Sequence, residues 1–436
     1  QGVTDIIAMS GTPAPGNGML DVLYLPVLNN AGQAAFAADL SGTNFGTADD
    51  RAIYRSQGGP LVQIARDFSS LGALVIADTS YATNLSGVAM NDAGQVVYRA
   101  GRAPIFGSLD DVIERSDGTN VATIARTGQS APDGNGTFSS FYTTNLNASG
   151  EVAFLSSLTG TSEDQGRFRG SGGPVTQIAR IGQSAPDGNG TFSSFGYSHL
   201  NASGQTAFDA YLAGTGGTGN SGVFRGAGGS ITQIARAGQP APDGNGVFSL
   251  VQMRGLDASG QVAFHAQLAG TRGGSSDDRG IYRGSGAAIS QIARGAQPAP
   301  DGNGVFDFFS TTAFNTSGQA AFLGFLTHTR GGVGDNEGIF GSIDGAIRQF
   351  ARKGQPAPDG NGTFFGFRLF DFNAAGQAGF SAALAGTSDG NTNNAGLFLA
   401  NGIDVIEVAR TGEGLANSTI AALFVSETSS ATSGAD

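Results

Sequence analysis

Short runs of alternating apolar and polar residues cover most of the chain, and none shows the 3.6-residue spacing of an amphipathic helix. The stretch that begins near residue 191 contains four such runs, separated by Gly-rich segments. We predict β-strands there at 191–200, 205–212, 222–225 and 231–236. The same arrangement recurs along the chain, which makes the fold class all-β.

Two motifs each recur seven times. The first is Ile-Ala-Arg or a near variant, which ends at Arg66, Arg126, Arg180, Arg236, Arg294, Arg352 and Arg410. The second is Asn-x-x-Gly-Gln-x-Ala-Phe in its commonest form, which begins at Asn29, Asn91, Asn147, Asn201, Asp257, Asn315 and Asn373. A period of this size indicates a propeller, a solenoid or another repeat array.

Four strands per repeat predict a seven-bladed β-propeller of four-stranded antiparallel blades, with an open β-solenoid as the alternative. The Asn-x-x-Gly turn is typical of tight hairpins, which join antiparallel strands and so favour the propeller. One aromatic side chain in the second strand of each repeat should be buried between blades. These residues are Phe36, Tyr98, Phe154, Phe208, Phe264, Phe322 and Phe380.

The ends of the chain carry more strand-like segments than seven blades need. We divide the chain into an extra strand and loop at 1–18, the propeller at 19–410 and a tail with a further strand at 411–436. Segments 4–9 and 404–410 both resemble the fourth strand of a repeat, and 419–425 resembles the first. A strand left over would have unpaired backbone groups and could pair with a neighbouring subunit. The candidate assembly residues are Ile6, Ile7, Met9, Leu423 and Phe424. Alternatively, the extra strands widen the closing blade within one subunit.

Composition narrows the class of protein. The 436 residues include 72 Gly, no Cys, no Trp and 3 His, and only 13% are charged. The absence of Cys excludes disulfides, thiol nucleophiles and Cys-based metal sites. A net charge of −12 with one lysine argues against binding to nucleic acid or to anionic membranes. No apolar run is long enough for membrane insertion. Such a composition is typical of a secreted or cell-surface bacterial protein.

The motifs also carry a resemblance to a known family. Asn-x-x-Gly-x-x-Ala-Phe and Ile-Ala-Arg-x-Gly-x-x-Ala-Pro resemble the repeats of secreted bacterial tandem-repeat, β-propeller-like proteins. The Asn-x-x-Gly hairpin is distantly similar to blades of TolB-type propellers. The resemblance covers about residues 3 to 410. It implies a repeat architecture and export from the cell, and it supplies no catalytic residue.

A loop with the sequence Pro-Asp-Gly-Asn-Gly occurs five times. Its oxygen side chains, spaced by two residues on a Gly-rich turn, are similar to part of a calcium loop but lack the further acids and the final Glu. We therefore interpret the loop as an Asx-type turn, with weak Ca²⁺ binding as the alternative and no other cofactor expected. The candidate ligands are Asp133, Asn135, Asp187, Asn189, Asp243, Asn245, Asp301, Asn303, Asp359 and Asn361.

The seven repeated arginines are the second candidate functional site. Equivalent positions in seven blades would place them in a ring, and Arg pairs well with carboxylates. Two interpretations follow: each Arg clamps a nearby Pro-Asp-Gly-Asn-Gly loop, which we favour, or the ring binds anions.

These features indicate a non-enzymatic structural protein, a subunit of an extracellular filament or surface layer that binds further copies of itself head to tail. No unique catalytic constellation is evident. The alternative is an extracellular propeller module that binds a glycan, a peptide, calcium or a cell-surface ligand. Repeat two lacks the Pro-Asp-Gly-Asn-Gly loop at 67–83, so a unique site would be sought there first.

Overall fold

The computed structural model describes residues 6–46, 49–66, 74–76, 88–102, 110–217, 219–415 and 418–419. In these residues seven antiparallel sheets follow one another along the chain, and each sheet is built from one repeat. The predicted seven-bladed β-propeller of four-stranded antiparallel blades is confirmed. None of the described strand pairings is parallel, as a solenoid would require.

In blades one and two, two short described segments pair with the second strand where the other blades have one first strand, so each contains five described segments. Blade one consists of β1 (Met19–Leu23), β2 (Val27–Leu28), β3 (Ala34–Ser41), β4 (Arg51–Ser56) and β5 (Val62–Arg66). Blade two consists of β6 (Leu74–Ile76), β7 (Ala89–Met90), β8 (Val96–Arg102), β9 (Asp110–Ser116) and β10 (Val121–Arg126).

Blades three to seven have four continuous strands each. Blade three consists of β11 (Thr137–Leu146), β12 (Val152–Thr159), β13 (Gln165–Gly170) and β14 (Thr176–Arg180). Blade four consists of β15 (Thr191–Leu200), β16 (Thr206–Ala213), β17 (Ser221–Gly226) and β18 (Thr232–Arg236). Blade five consists of β19 (Val247–Leu256), β20 (Val262–Ala269), β21 (Arg279–Gly284) and β22 (Ile289–Arg294). Blade six consists of β23 (Val305–Phe314), β24 (Ala320–Thr327), β25 (Glu337–Ile343) and β26 (Ala346–Arg352). Blade seven consists of β27 (Thr363–Phe372), β28 (Ala378–Ala385), β29 (Ala395–Ala400) and β30 (Val405–Arg410).

The described residues also contain a short hairpin and three single turns of 3-10 helix. The hairpin consists of β31 (Gly414–Leu415) and β32 (Ser418–Thr419), and the 3-10 turns are Gly274–Ser276, Gly332–Gly334 and Gly390–Thr392. Among the described residues, no helix has both the length and the apolarity that crossing a bilayer requires.

The Asn-x-x-Gly turn connects the first and second strands as expected. In blade six the Asn315 N–H donates to the Gln319 carbonyl at 3.0 Å, and the Gly318 N–H donates to the Asn315 carbonyl at 3.1 Å. Gly318 has a φ of 77°, a left-handed conformation that L side chains rarely adopt. The Asn315 side chain accepts a further hydrogen bond from the Gln319 N–H at 2.9 Å. Local sequence therefore fixes this hairpin.

The hydrophobic core lies between consecutive blades. Ile281, Ile292 and Ala293 of blade five pack in one cluster with Phe306 and Phe309 of blade six. The aromatic residue of each second strand is at most 4% exposed, as predicted: Phe36, Tyr98, Phe154, Phe208, Phe264, Phe322 and Phe380. Successive side chains of a strand point to opposite faces, and in a second strand such as β24, whose first five residues are all buried, both faces of the blade carry apolar side chains.

The chain separates into two compact units. One contains blades one to three, and the other contains blades five to seven. The strands of blade four are divided, with β15 in the first unit and most of β16, β17 and β18 in the second.

The prediction of a spare fourth strand at 4–9 is wrong for the residues that are described, because 6–9 form no strand. Blade seven takes its fourth strand, β30, from its own repeat. Of the predicted strand at 419–425, only Thr419 lies within the described residues, where it ends β32.

Candidate functional site

The last arginine of a repeat closes a cluster that we call the arginine clamp, described here in blade six. The Nη1 group of Arg352 donates to both carboxylate oxygens of Asp301, at 3.1 and 3.0 Å. Its Nη2 donates to the Asn303 carbonyl at 2.7 Å, and its Nε donates to the Asp335 carbonyl at 2.7 Å. The clamp therefore joins the loop before the first strand, the loop between the second and third strands, and the end of the fourth strand.

The same contacts recur in three other blades. Arg180 contacts Asp133 at 2.8 Å, Arg294 contacts Asp243 at 2.6 Å and Arg410 contacts Asp359 at 2.6 Å. Each of these arginine side chains is at most 5% exposed. The described contacts of these arginines are thus within their own blade.

Blades one and two vary the clamp. In blade one the loop lacks the Asp, and Arg66 donates to the Asn17 carbonyl at 3.0 Å and lies 3.5 Å from Asp49. In blade two the side chain of Arg126 is exposed. In blade four Arg236 is buried, and its Nε donates to the Gly219 carbonyl at 2.9 Å, as the Nε of Arg352 does to the Asp335 carbonyl.

The candidate calcium ligands lie in this clamp. The Asp301 Oδ1 atom accepts the Asn303 N–H at 3.0 Å in addition to the contact with Arg352. The Asn303 amide donates to Asp335 Oδ2 at 2.7 Å. The same turn, with an Asp oxygen accepting the N–H of the Asn two residues later, occurs in the other four loops: Asp133 with Asn135, Asp187 with Asn189, Asp243 with Asn245, and Asp359 with Asn361. Among the described residues, no three acidic or His side chains are grouped so that they could hold a metal ion.

The acidic residues between the second and third strands complete the clamp. Burial alone would raise the pKa of Asp335. Hydrogen bonds from Thr329, Asn303 and the Gly331 N–H, together with the charge of Arg352, outweigh burial, so the pKa lies below its ordinary value of 3.8. Asp277 of blade five has a lowered pKa for the corresponding reasons. Both carboxylates are therefore ionised at neutral pH, and they stabilise the loops through these hydrogen bonds.

Neighbouring blades are joined through the turn asparagines, which sequence reasoning assigned only to local turns. The side-chain amides of Asn29, Asn91 and Asn147 donate to the backbone carbonyls of Asn91, Asn147 and Asn201 at 2.9, 3.0 and 3.0 Å. Asn315 donates to the Asn373 carbonyl in the same way, at 2.9 Å. The recurrence of Asn at six of the seven turn positions is the signal that could have indicated this second role.

The arginines of the third strand reach the next blade as well. Arg55, Arg115 and Arg225 donate to the carbonyls of Gly94, Gly150 and Gly260, and Arg283 donates to Gly318 at 2.8 Å. Blade six has Gly341 at this position, where the Phe350 ring occupies the space that a side chain would need. These arginines stabilise the contact between blades.

Two further predictions concern residues near the ends and in repeat two. Ile6 is 44% exposed and Met9 is 55% exposed, whereas Ile7 is partly buried and packs against the core of blade one, and none of the three belongs to a strand. Leu423 and Phe424 lie outside the described residues, as do most of 67–83, of which only β6 is described.

Known structures with a similar chain path include enzymes and one isolated propeller domain. The β-propeller domain of the Trilobed protease from Pyrococcus furiosus aligns with a TM-score of 0.45 and 9% identity, over 91% of this chain and 100% of that domain. An oligogalacturonate lyase in complex with manganese aligns with a TM-score of 0.43 and 11% identity, over 91% and 96%. The Pyrococcus horikoshii acylaminoacyl peptidase aligns with a TM-score of 0.43 and 10% identity, over 89% of this chain and 52% of the peptidase. At this level of similarity, nothing about activity carries over.

Family membership follows from the sequence. No curated protein matches the chain. A family model matches it twice, over 1–221 and 212–434, which together cover nearly all residues. The chain belongs to DUF7453, a family of unknown function.

Proposed function

We propose that the protein is a non-enzymatic structural subunit that acts outside the cell and associates head to tail with further copies of itself. One observation carries the proposal: Val408, in the last strand of blade seven, is 52% exposed. The residues at the equivalent position of the other six blades are between 2% and 7% exposed. They are Ile64, Ile124, Ile178, Ile234, Ile292 and Phe350.

In the inner blades this position packs against the first strand of the next blade. Ile339 and Phe350 of blade six, for example, share a cluster with Phe364 and Leu369 of blade seven. On the corresponding face of blade seven, Leu397 is partly exposed and Ile406 is 55% exposed. An apolar face of this kind favours association, because covering it removes apolar surface from water.

Blade one presents the matching half of such an interface. Leu28, at the end of its first strand, is 57% exposed. The equivalent residues of blades three to seven are at most 7% exposed: Leu146, Leu200, Leu256, Phe314 and Phe372. Blade seven of one copy can therefore pack on blade one of the next, as consecutive blades of one chain do. Repetition of such a heterologous contact produces an open filament unless it closes into a ring of subunits.

The test compares Val408→Asp with Val121→Asp, which alters a valine of similar exposure in the fourth strand of blade two. Light scattering over a wide concentration range and electron microscopy would measure the mass and shape of the assemblies. We expect the native chain and Val121→Asp to form species larger than a monomer, and Val408→Asp to remain monomeric. A native chain that stays monomeric, or a Val408→Asp variant that assembles normally, contradicts the proposal. A native chain that stays monomeric would mean that the apolar face of blade seven is covered within one chain.

Terminal strand exchange is a second route to the same assembly. Ile6 and Met9 are exposed and outside any strand, whereas Ile7 and Ala8 pack against the core of blade one, so donation of this segment would first have to release that contact. Deletion of 1–18, and separately of 415–436, should weaken assembly if either end is donated. If both shortened chains assemble like the native one, the contact is made by the blade faces alone.

A further inference from the structure

A cavity of about 230 Å³ lies between blades five and six. Its polar side chains are Gln252, His265, Gln267 and Arg279, and its apolar wall includes Phe308 and Phe309. Phe308 is 41% exposed, and Gln267 is also exposed, so the cavity is open to solvent. An apolar wall with a few convergent polar groups is the usual composition of a small-molecule site.

The polar residues of this cavity are not required by the repeat. The position of His265 is occupied in the other blades by Ala37, Arg99, Leu155, Asp209, Leu323 and Ser381. The position of Arg279 is occupied by Arg51, Asp111, Gln165, Ser221, Glu337 and Ala395. By contrast, the second-strand aromatic residue on the same hairpin is Phe or Tyr in all seven repeats. The fold therefore tolerates many side chains at both cavity positions, and the set found in blade five calls for another explanation.

His265 is held in a fixed orientation by blade six. Its Nε2 atom lies 2.6 Å from the Thr312 hydroxyl. Desolvation lowers the pKa of His265, and the nearby positive charge of Arg254 lowers it further, so the imidazole is neutral at pH 7. A neutral imidazole adds a hydrogen-bonding group to the cavity without adding charge.

Arg279 supplies the charge. Its guanidinium lies 5.2 Å from the centre of the Phe308 ring and stacks over that ring. Its Nε atom forms an ion pair with Asp278 Oδ1 at 3.6 Å, a separation longer than that of a hydrogen bond. The side chain is 47% exposed. Among the described residues that line the cavity, Arg279 carries a positive charge and none is acidic, so the charge of the wall favours an anion.

We propose that this cavity binds a small hydroxylated carboxylate of the size of one sugar ring, such as an acidic monosaccharide. The guanidinium of Arg279 pairs with the carboxylate. The amides of Gln252 and Gln267 can both donate and accept hydrogen bonds, as sugar hydroxyls do. The rings of Phe308 and Phe309 pack against the apolar face of the sugar ring.

The experiment titrates the full-length protein with glucuronate, with glucose as the neutral control, by calorimetry and ligand-observed NMR at low ionic strength. Arg279→Gln and His265→Leu introduce residues that other blades carry at the same positions, Gln165 and Leu155, so both variants should fold. Arg51→Gln makes the same change at the equivalent position of blade one. We expect glucuronate to bind the native protein and Arg51→Gln alike, and glucose to bind at least tenfold more weakly.

In the same titrations, Arg279→Gln should weaken glucuronate binding at least tenfold, and His265→Leu should weaken it as well. Thermal unfolding of each variant would check that the fold is intact. The proposal is overturned if glucuronate does not bind, if glucose binds equally well, or if Arg279→Gln binds glucuronate like the native protein.

Discussion

The side-chain amide of Asn147 donates a hydrogen bond to the backbone carbonyl of Asn201, 54 residues later, at 3.0 Å. Asn147 is fully buried, and Asn201 is 2% exposed. The Asn147 Oδ1 atom also accepts the Glu151 N–H at 2.8 Å within its own turn. One side chain therefore both shapes a hairpin and attaches it to the next blade.

Replacement of Asn147 by Ala should destabilise the protein by about 2–3 kcal/mol, because it leaves buried backbone groups without partners. Urea denaturation monitored by circular dichroism measures the change in the free energy of unfolding. Asn220→Ala is the matched control, since Asn220 is exposed, and it should change the free energy of unfolding by less than about 0.5 kcal/mol. Equal effects of the two variants would contradict an inter-blade role.

The free energy of unfolding should depend strongly on the arginine of the clamp. Arg352→Ala removes a buried cation and all its hydrogen bonds, and we expect a loss of about 3–5 kcal/mol. Asp301→Asn should cost less, because its side chain is 38% exposed and an amide oxygen can still accept hydrogen bonds. Chemical denaturation of each variant would measure both losses.

Calcium removal tests the alternative interpretation of the same loops. We expect a chelator to leave the Tm unchanged, because the Asp carboxylates of the clamp contact guanidinium and backbone N–H groups. A rise in Tm with millimolar Ca²⁺ that is lost in Asp243→Ala would show that the loops bind calcium.

Acid should weaken the clamp. The pKa of Asp335 is lower in the folded protein than its ordinary value of 3.8. Its contribution to stability is therefore fully present above pH 3.8 and is lost as the pH falls through the lower, folded-state value. We expect the Tm to fall on acidification in this range, and to fall less steeply in Asp335→Asn. A slope that is unchanged in the variant would rule out this contribution.

The buried aromatic residues should dominate core stability. Phe322 is fully buried, with its ring centre 5.5 Å from that of Phe309 and 5.8 Å from that of Phe340. Phe322→Ala should cost about 3–5 kcal/mol, because it removes a large apolar side chain and leaves a cavity. Phe365, which is 59% exposed beneath Lys353, provides the control, and Phe365→Ala should cost at most about 1 kcal/mol. Thermal and urea unfolding would measure both changes.

Local features of the sequence determine the strands and their order. Alternating side chains define the two faces of each strand, and the Asn-x-x-Gly turn sets the antiparallel pairing of the first two strands through contacts within five residues. Seven copies of these signals were enough to predict the number of blades and the burial of residues such as Phe322. The partner of each clamp arginine was predicted only as one of two alternatives, since the motif shows the Arg and the loop but not their distance.

Tertiary structure alone decided which surfaces meet. The bond from Asn147 to Asn201, the contact of Arg283 with Gly318 and the cavity beside His265 each depend on how consecutive blades pack. Residues about 35 to 58 positions apart form these contacts, and no local rule of spacing brings them together. The exposure of Val408 is likewise invisible in the sequence, because its motif matches those of the buried residues in the other blades. Whether such a side chain is covered depends on the neighbour that packs against it, and only the folded chain specifies that neighbour.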